Sequence, residues 1–250
     1  MIHGMNTAGW CWDFYRAYFE GNGYNCITPD LRYHDTDPAD PPDTRLGTTG
    51  LLDYAADLEE LIKELPGPPI LMGHSMGGLL AQILATRLPV RALVLLSPAA
   101  PRGIIPLRLS VARCFRTGLL KWGWWRKPIR PTLREVTYSN LHLMPEEYRE
   151  EAYARVGYES GRVGFQMGLW FLDKQRSSEV DESKIGCPVL VVVGSEDRLT
   201  PAPVVRKVAK KYGAVATFKK FPDHAHWIIG EPGWEEVAGY VAGWLDNALD

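Results

Sequence analysis

The chain has 250 residues, 46% hydrophobic and 11% aromatic, enough apolar material for one large α/β domain or for one domain carrying an insertion. Its formal charge of −2 gives no general electrostatic reason to expect nucleic acid or an anionic membrane as a partner. Four scattered cysteines without CxxC spacing argue against a disulfide framework and against a zinc site, so no metal is expected. No cofactor is expected either.

The amino terminus, MIHGMNTAGW, lacks the basic segment and the apolar run of a secretory leader. Elsewhere no apolar stretch approaches the length of a membrane span. The sequence therefore predicts a soluble, cytoplasmic protein.

Short β-branched runs alternate with longer helical patterns along the chain, which predicts βα units around a mostly parallel sheet flanked by helices. The predicted strands are Tyr24–Pro29, Ile70–Gly73, Arg91–Leu96, Pro188–Val193 and Ala216–Phe221. Helices are predicted over 51–65 and 234–245, because apolar residues recur there at helical spacing.

Residues 102–184 interrupt this alternation with helix-compatible segments, which predicts a helical insertion into a core formed by 1–101 and 185–250. We expect Trp122, Trp125 and Trp170 of the insertion to line an apolar substrate pocket. Its first part, 102–134, contains nine basic residues and no acidic one. This basic run could face a membrane or an anionic ligand. The favoured interpretation is that the glutamates that follow it in the sequence neutralise its charge.

GHSMG, residues 73–77, fits the pattern G-x-S-x-G and lies between a predicted strand and the apolar segment GLLAQILATRL. Small residues two positions away from Ser75 permit a sharp turn that exposes its hydroxyl. The following helix start would offer free N–H groups to an oxyanion. An ordinary glycine turn has the same local sequence, so a nucleophilic Ser75 requires a base and an acid from elsewhere in the chain.

Two later loops supply such groups. GSEDRLTP, residues 194–201, follows one predicted strand and contains two acidic residues, and FPDHAHWIIGEP, residues 221–232, follows another. The order serine, acid, histidine matches one of the known triad arrangements. At this level His224 and His226 compete as the base, and Asp197 competes with Glu196 and Asp223 as the acid.

These segments resemble the α/β-hydrolase fold superfamily. GWCW at 9–12, soon after the HG turn, is most similar to small bacterial serine esterases with a helical cap and to lyase-like members of the same subgroup. The resemblance rests on HGM at 3–5, DLRYHD at 30–35, GHSMGG at 73–78, GSEDRLTP at 194–201 and HWIIGEP at 226–232. It implies that Asp197 is the acid and that His226, followed by an aromatic residue and by Glu231, is the base. His224 is then expected to pack or to hydrogen-bond at the edge of its loop.

The resemblance also implies that residues 102–184 form the cap and that the oxyanion hole consists of the backbone N–H groups of Met5 and Met76. In the family a complete strand precedes the HG turn, whereas His3 is the third residue here. The amino-terminal strands are therefore expected to be absent, or to belong to a natural chain that starts upstream, or to be replaced by a second chain. An uncovered edge would favour self-association.

The expected reaction is hydrolysis of a small to medium apolar carboxylic ester, a small-molecule substrate, through an acyl-enzyme. Serine at position 75 argues against dehalogenase and epoxide-hydrolase chemistry. Thioester hydrolysis, carbon–carbon bond hydrolysis and hydroxynitrile cleavage on the same triad remain alternatives. So do a ligand receptor with low turnover and a membrane-surface lipase that uses the basic segment.

Overall fold

The computed structural model describes residues 1–105 and 109–249, so Arg108 of the basic run lies outside the described residues. Its strands are β1 (Ile70–His74), β2 (Ala92–Leu96), β3 (Pro128–Ile129), β4 (Glu159–Ser160), β5 (Val189–Gly194) and β6 (Ala216–Phe221). Four of them form one parallel sheet in the order β1-β2-β5-β6. This sheet and its flanking helices confirm the predicted fold class.

Helices surround the sheet on both faces. They are α1 (Asp13–Gly21), α2 (Leu51–Lys63), α3 (Met76–Ala85), α4 (Leu109–Cys114), α5 (Arg116–Leu119), α6 (Leu133–Ser139), α7 (Glu146–Ala154), α8 (Gly161–Gly168), α9 (Ala202–Lys211) and α10 (Trp234–Leu249). Among the described residues, no helix is both long and apolar enough to cross a membrane.

The central strand β2 shows how the two faces are built. Leu93 and Leu95 pack into one core cluster with α2, α3 and α9, while Val94 and Leu96 pack into the other with α1 and α10. Because successive side chains of a strand point to opposite faces, a strand covered on both sides must be apolar throughout, and all five residues of β2 are buried.

The strand predicted at Tyr24–Pro29 is not formed. The neighbouring backbone explains this difference: the amino group of Met1 donates to the carbonyl of Ile27 at 2.7 Å, and Ile2 forms an isolated parallel bridge with Gly73. A strand needs a succession of paired backbone groups, and one contact with Met1 does not provide a ladder.

Residues 102–184, here called the insertion, join β2 to β5. They contain α4 to α8 and one short antiparallel ladder, in which Pro128 pairs with Ser160 and Ile129 with Glu159. The ladder was not predicted, because two-residue strands leave no periodic pattern in a sequence.

Candidate active site

Ser75 lies in a sharp turn between β1 and α3, with φ of 55° and ψ of −119°. Its neighbours leave no room for side chains: a Cβ on Gly73 would lie 2.2 Å from the carbonyl oxygen of Gly77, and one on Gly77 would lie 2.0 Å from that of Ile2. The positive φ is strained for serine and is held by this close packing. The glycines therefore act as the sequence pattern indicates.

Three predicted residues meet at the carboxyl edge of the sheet. Ser75 follows β1, Asp197 follows β5 and His226 follows β6. The distance from Ser75 Oγ to His226 Nε2 is 2.9 Å, and that from His226 Nδ1 to Asp197 Oδ2 is also 2.9 Å. All three residues are buried. With Nδ1–H donating to the carboxylate, Nε2 is left to accept the hydroxyl proton of Ser75.

Asp197 is held by its own loop. Its Oδ1 accepts from the backbone N–H of Leu199 at 2.9 Å and of Thr200 at 2.7 Å, and the Thr200 hydroxyl lies 2.8 Å from Oδ2. Although burial raises the pKa of Asp197, His226 and these hydrogen bonds lower it to about 2. The carboxylate is therefore ionised at neutral pH and fixes the orientation of the imidazole.

Thr200 is a residue that sequence reasoning missed. Its Oγ1 lies 3.0 Å from the carbonyl of Ser97 and 3.3 Å from His226 Nδ1, in addition to its contact with Asp197. Aspartate commonly accepts hydrogen bonds from backbone groups two and three positions ahead, and this local preference was the only available signal.

The competing residues of the two loops lie apart from Ser75. His224 Nδ1 lies 3.1 Å from Glu231 Oε1, which also accepts from the N–H of Ala225 at 2.7 Å. This matches the expectation that His224 is bonded within its loop. The acid candidates Glu196 and Asp223 are exposed.

Two further histidines support the turn. His74 Nε2 donates to the carbonyl of His226 at 2.8 Å, and burial together with the nearby His226 lowers the pKa of His74 to about 3. His3 donates from Nδ1 to the carbonyl of Gly4 at 2.8 Å and accepts at Nε2 from the N–H of Leu31 at 3.0 Å. Burial, followed by the neighbouring His34, lowers the pKa of His3 to about 3. Both imidazoles are therefore neutral structural groups.

Two backbone segments flank Ser75. Met76 is the first residue of α3, where N–H groups lack partners within the helix. On the other side, a Cβ on Gly4 would lie 3.0 Å from Ser75 Cβ, which places the turn before Met5 next to Ser75. Both segments therefore border Ser75.

Among the described residues, cavities on two sides adjoin Ser75. Cavity A, of about 790 Å³, is also lined by His226 and by several aromatic residues: Trp10, Phe14, Tyr148, Trp227 and Trp234. Cavity B, of about 220 Å³, has a mainly apolar wall that includes Ala100, Val111, Phe115, Met167, Leu169 and Leu199. The insertion contributes residues to both walls.

The tryptophans expected in the pocket lie elsewhere. Trp122 is 86% exposed and packs edge-on against Trp125, with ring centroids 5.4 Å apart. Trp170 donates from Nε1 to the carbonyl of Ile104 at 3.2 Å. Trp124 lines cavity B instead. The composition of the insertion does not show which of its faces turns toward Ser75.

A further buried pair of histidine and carboxylate joins two distant parts of the chain. His34 Nε2 lies 3.2 Å from Glu159 Oε2, and Glu159 Oε1 accepts from Tyr54 OH at 2.8 Å and from the N–H of Ser160 at 2.6 Å. Burial lowers the pKa of His34, but the Glu159 carboxylate raises it, and the net shift is upward. Burial raises the pKa of Glu159, but His34 lowers it, and the net shift is downward. The two therefore form an ion pair between the core and the insertion.

Among residues 1–105 and 109–249, no group of three or more His, Cys, Asp or Glu side chains is arranged to hold a metal ion.

The amino-acid sequence is similar to those of known proteins. Residues 1–239 match the model of the "Alpha/beta hydrolase family". The chain is 25% identical over 264 residues to the "Magnesium-chelatase 30 kDa subunit" of Rhodobacter capsulatus, covering 99% of this chain and 86% of that protein.

Solved structures show the same fold. The monoacylglycerol lipase of Paleococcus ferrophilus superposes with a TM-score of 0.67 at 22% identity, covering 98% of this chain and 91% of that one. A pyrethroid hydrolase of Sphingobium faniae JZ-2 superposes with a TM-score of 0.71 at 19% identity, covering 98% and 95%.

Proposed function

The chain belongs to the alpha/beta hydrolase family, and we propose that it hydrolyses small to medium apolar carboxylic esters with Ser75, His226 and Asp197 as a catalytic triad. The observation that carries this proposal is the pair of 2.9 Å contacts through which His226 joins the Ser75 hydroxyl to the Asp197 carboxylate. The lipase and the pyrethroid hydrolase among the similar structures support ester hydrolysis as the general reaction.

In the acylation step, Ser75 Oγ attacks the ester carbonyl carbon while its proton passes to His226 Nε2. The negative charge on the carbonyl oxygen is stabilised by the N–H groups of Met5 and Met76. When the tetrahedral intermediate collapses, the bond to the alcohol oxygen breaks and that oxygen takes the proton from Nε2. An acyl-Ser75 ester remains.

In the deacylation step, water attacks the acyl carbon and gives its proton to His226. The bond between the acyl carbon and Ser75 Oγ breaks, the carboxylic acid leaves, and Oγ recovers the proton. Asp197 remains ionised throughout and stabilises the imidazolium that forms twice per turnover.

The test is a series of p-nitrophenyl esters hydrolysed by the wild type, by Ser75→Ala and by the control Ser183→Ala, whose serine is exposed on the insertion. We expect Ser75→Ala to lower kcat by at least about 10³-fold, because the nucleophile is lost, and Ser183→Ala to match the wild type. Equal hydrolysis by the wild type and Ser75→Ala would refute the proposal. A single burst without steady turnover would favour a receptor instead.

A further inference from the structure

We infer that cavities A and B divide the substrate at Ser75, with the acyl chain in cavity B and the alcohol portion in cavity A. The substrate class is then an ester of a medium-length apolar acid with a large, ring-bearing alcohol. This inference rests on the proposed function, since it assigns the two halves of the ester that Ser75 would attack.

The position of His226 sets the direction of the ester. During acylation the alcohol oxygen must take a proton from His226 Nε2, so that oxygen has to lie on the side of Ser75 where the imidazole is. His226 lines cavity A together with Trp227 of the same loop. Ser75 and Leu199 border both cavities, whereas Thr200 of the acid loop lines cavity B and His226 does not. The leaving alcohol therefore points into cavity A and the acyl chain into cavity B.

The walls of cavity B suit an alkyl chain. Apart from Ser75, the polar side chains among the described residues of this wall hydrogen-bond within the protein: Asn6 to the carbonyls of Ile129 and Gly157, Glu135 to Thr132, Glu159 to His34 and Tyr54, Ser160 to the carbonyl of Thr49, and Thr200 to Asp197. The wall therefore favours an apolar alkyl chain over a substrate group that needs hydrogen bonds. If each heavy atom occupies about 30 Å³, as a water does in the liquid, 220 Å³ holds roughly seven atoms beyond the carbonyl carbon. An octanoyl chain fills that space.

Cavity A suits a larger and flatter group. By the same measure, its 790 Å³ holds on the order of 26 heavy atoms. Phe14 stacks on Trp234 with ring planes 18° apart and centroids 5.2 Å apart. Trp10 and Trp227 lie with centroids 5.9 Å apart. Aromatic surfaces of this kind favour ring systems in the alcohol over a short alkyl group.

A larger residue in place of Gly164 would shorten cavity B. Gly164 lies within α8 and lines the cavity, and a Cβ there would lie 3.5 Å from Trp124 and 4.0 Å from Met5, which are ordinary contacts. A leucine side chain at this position would project four heavy atoms toward the cavity. Room would remain for about three heavy atoms of the substrate's acyl chain beyond the carbonyl carbon. Gly243, in α10, is exposed and its Cβ would meet nothing within 4 Å, so Gly243→Leu is the matched control.

The experiment measures kcat/KM for p-nitrophenyl esters from acetate to dodecanoate. We expect the wild type and Gly243→Leu to prefer octanoate, and Gly164→Leu to prefer butanoate with a loss of roughly 10- to 200-fold for each methylene that no longer fits. If Gly164→Leu fails to fold, Gly164→Ala, which suits a helix better than glycine, and Met167→Ala replace it. Gly164→Ala should shorten the preferred chain and Met167→Ala should lengthen it.

A second arm varies the alcohol at constant acyl length. The wild type should hydrolyse naphthylmethyl octanoate roughly tenfold better than ethyl octanoate, and Phe14→Ala should reduce this ratio without changing the preferred acyl chain. The inference is overturned if the Gly164 variants alter the alcohol preference alone, if Phe14→Ala moves the acyl optimum, or if neither preference responds. In each of those cases hydrolysis would still depend on Ser75, whereas failure of the proposed function would abolish that dependence.

Discussion

Among the buried pairs of histidine and carboxylate that the described residues form, those of His226 and His34 differ in what the second ring nitrogen contacts. In one, His226 Nδ1 lies 2.9 Å from Asp197 and Nε2 lies 2.9 Å from the Ser75 hydroxyl, which borders two cavities. In the other, His34 Nε2 lies 3.2 Å from Glu159 and Nδ1 lies 3.1 Å from the carbonyl of Arg32.

The difference shows that a buried pair of this kind does not by itself indicate catalysis. Both nitrogens of His34 donate to fixed protein groups, so the ring has no free position for moving a proton. In His226, by contrast, Nε2 contacts the Ser75 hydroxyl and can accept its proton. We therefore expect the His226–Asp197 pair to govern the rate and the His34–Glu159 pair to govern stability, and the following experiments test that division.

The largest effect is expected from Asp197→Asn. The amide can donate toward Nδ1 and favour the tautomer with a proton on Nε2, which cannot accept the proton of Ser75. We expect kcat for p-nitrophenyl octanoate to fall by about 10⁴-fold, as in other triads of this type. Asp223→Asn, at an exposed carboxylate, is the control. A loss of less than about tenfold in Asp197→Asn would show that Asp197 does not orient the base.

His34→Leu should act on stability instead. It leaves the charge of Glu159 buried without its partner, and breaking such a pair costs about 3–5 kcal/mol of the free energy of unfolding. We expect urea denaturation to show this loss, while kcat per folded molecule changes far less than in Asp197→Asn. Adding Glu159→Gln should recover part of the lost stability. A change below about 1 kcal/mol would mean that the pair contributes little.

The same pair predicts a dependence of stability on pH. The raised pKa of His34 contributes stability that is fully present below its unfolded value near 6.5 and is lost as pH rises through the folded value. The lowered pKa of Glu159 contributes stability that is present above about 4.5 and is lost as pH falls through the folded value.

The stabilising effect of the pair is therefore expected to be largest between about pH 4.5 and 6.5. Urea titrations of the wild type and Glu159→Gln across this range and up to pH 9 should show their difference in unfolding free energy narrowing as pH rises. A constant difference would contradict a charged pair.

The smallest effect is expected from Met76→Leu. The proposed role of Met76 lies in its backbone N–H, and its buried side chain packs into the core. The swap should cost less than about 1.5 kcal/mol of stability and leave kcat unchanged. A drop in kcat near 10²-fold, as for loss of one oxyanion donor, would assign a role to the side chain itself.

The sequence predicted the elements that are specified locally. Four of the five expected strands form. The apolar runs of β1, β2 and β5 fit a sheet that is covered on both faces, and β6, which contains two lysines, lies at the edge of that sheet. The turn at Ser75 and the loops with Asp197 and His226 were located from motifs, and parallel strands bring such loops to one edge of a sheet.

The remaining features depend on distant parts of the chain. His34 and Glu159 are separated by 125 positions, and no pattern around either residue indicates the other. Tyr24–Pro29 has the residues of a strand but not the paired neighbour. The orientation of the insertion, which decides that Trp124 rather than Trp122 lines cavity B, follows from its packing against the core.

The ion pair between His34 and Glu159 also matters for chimeric proteins that combine segments of two relatives. A chimera that takes residues 102–184 from a relative imports a new residue at position 159 but keeps His34 and Tyr54 of the recipient. We therefore expect such a graft to keep its stability when the donor's residue at 159 suits the recipient's residues at 34 and 54, or when those positions are transferred too.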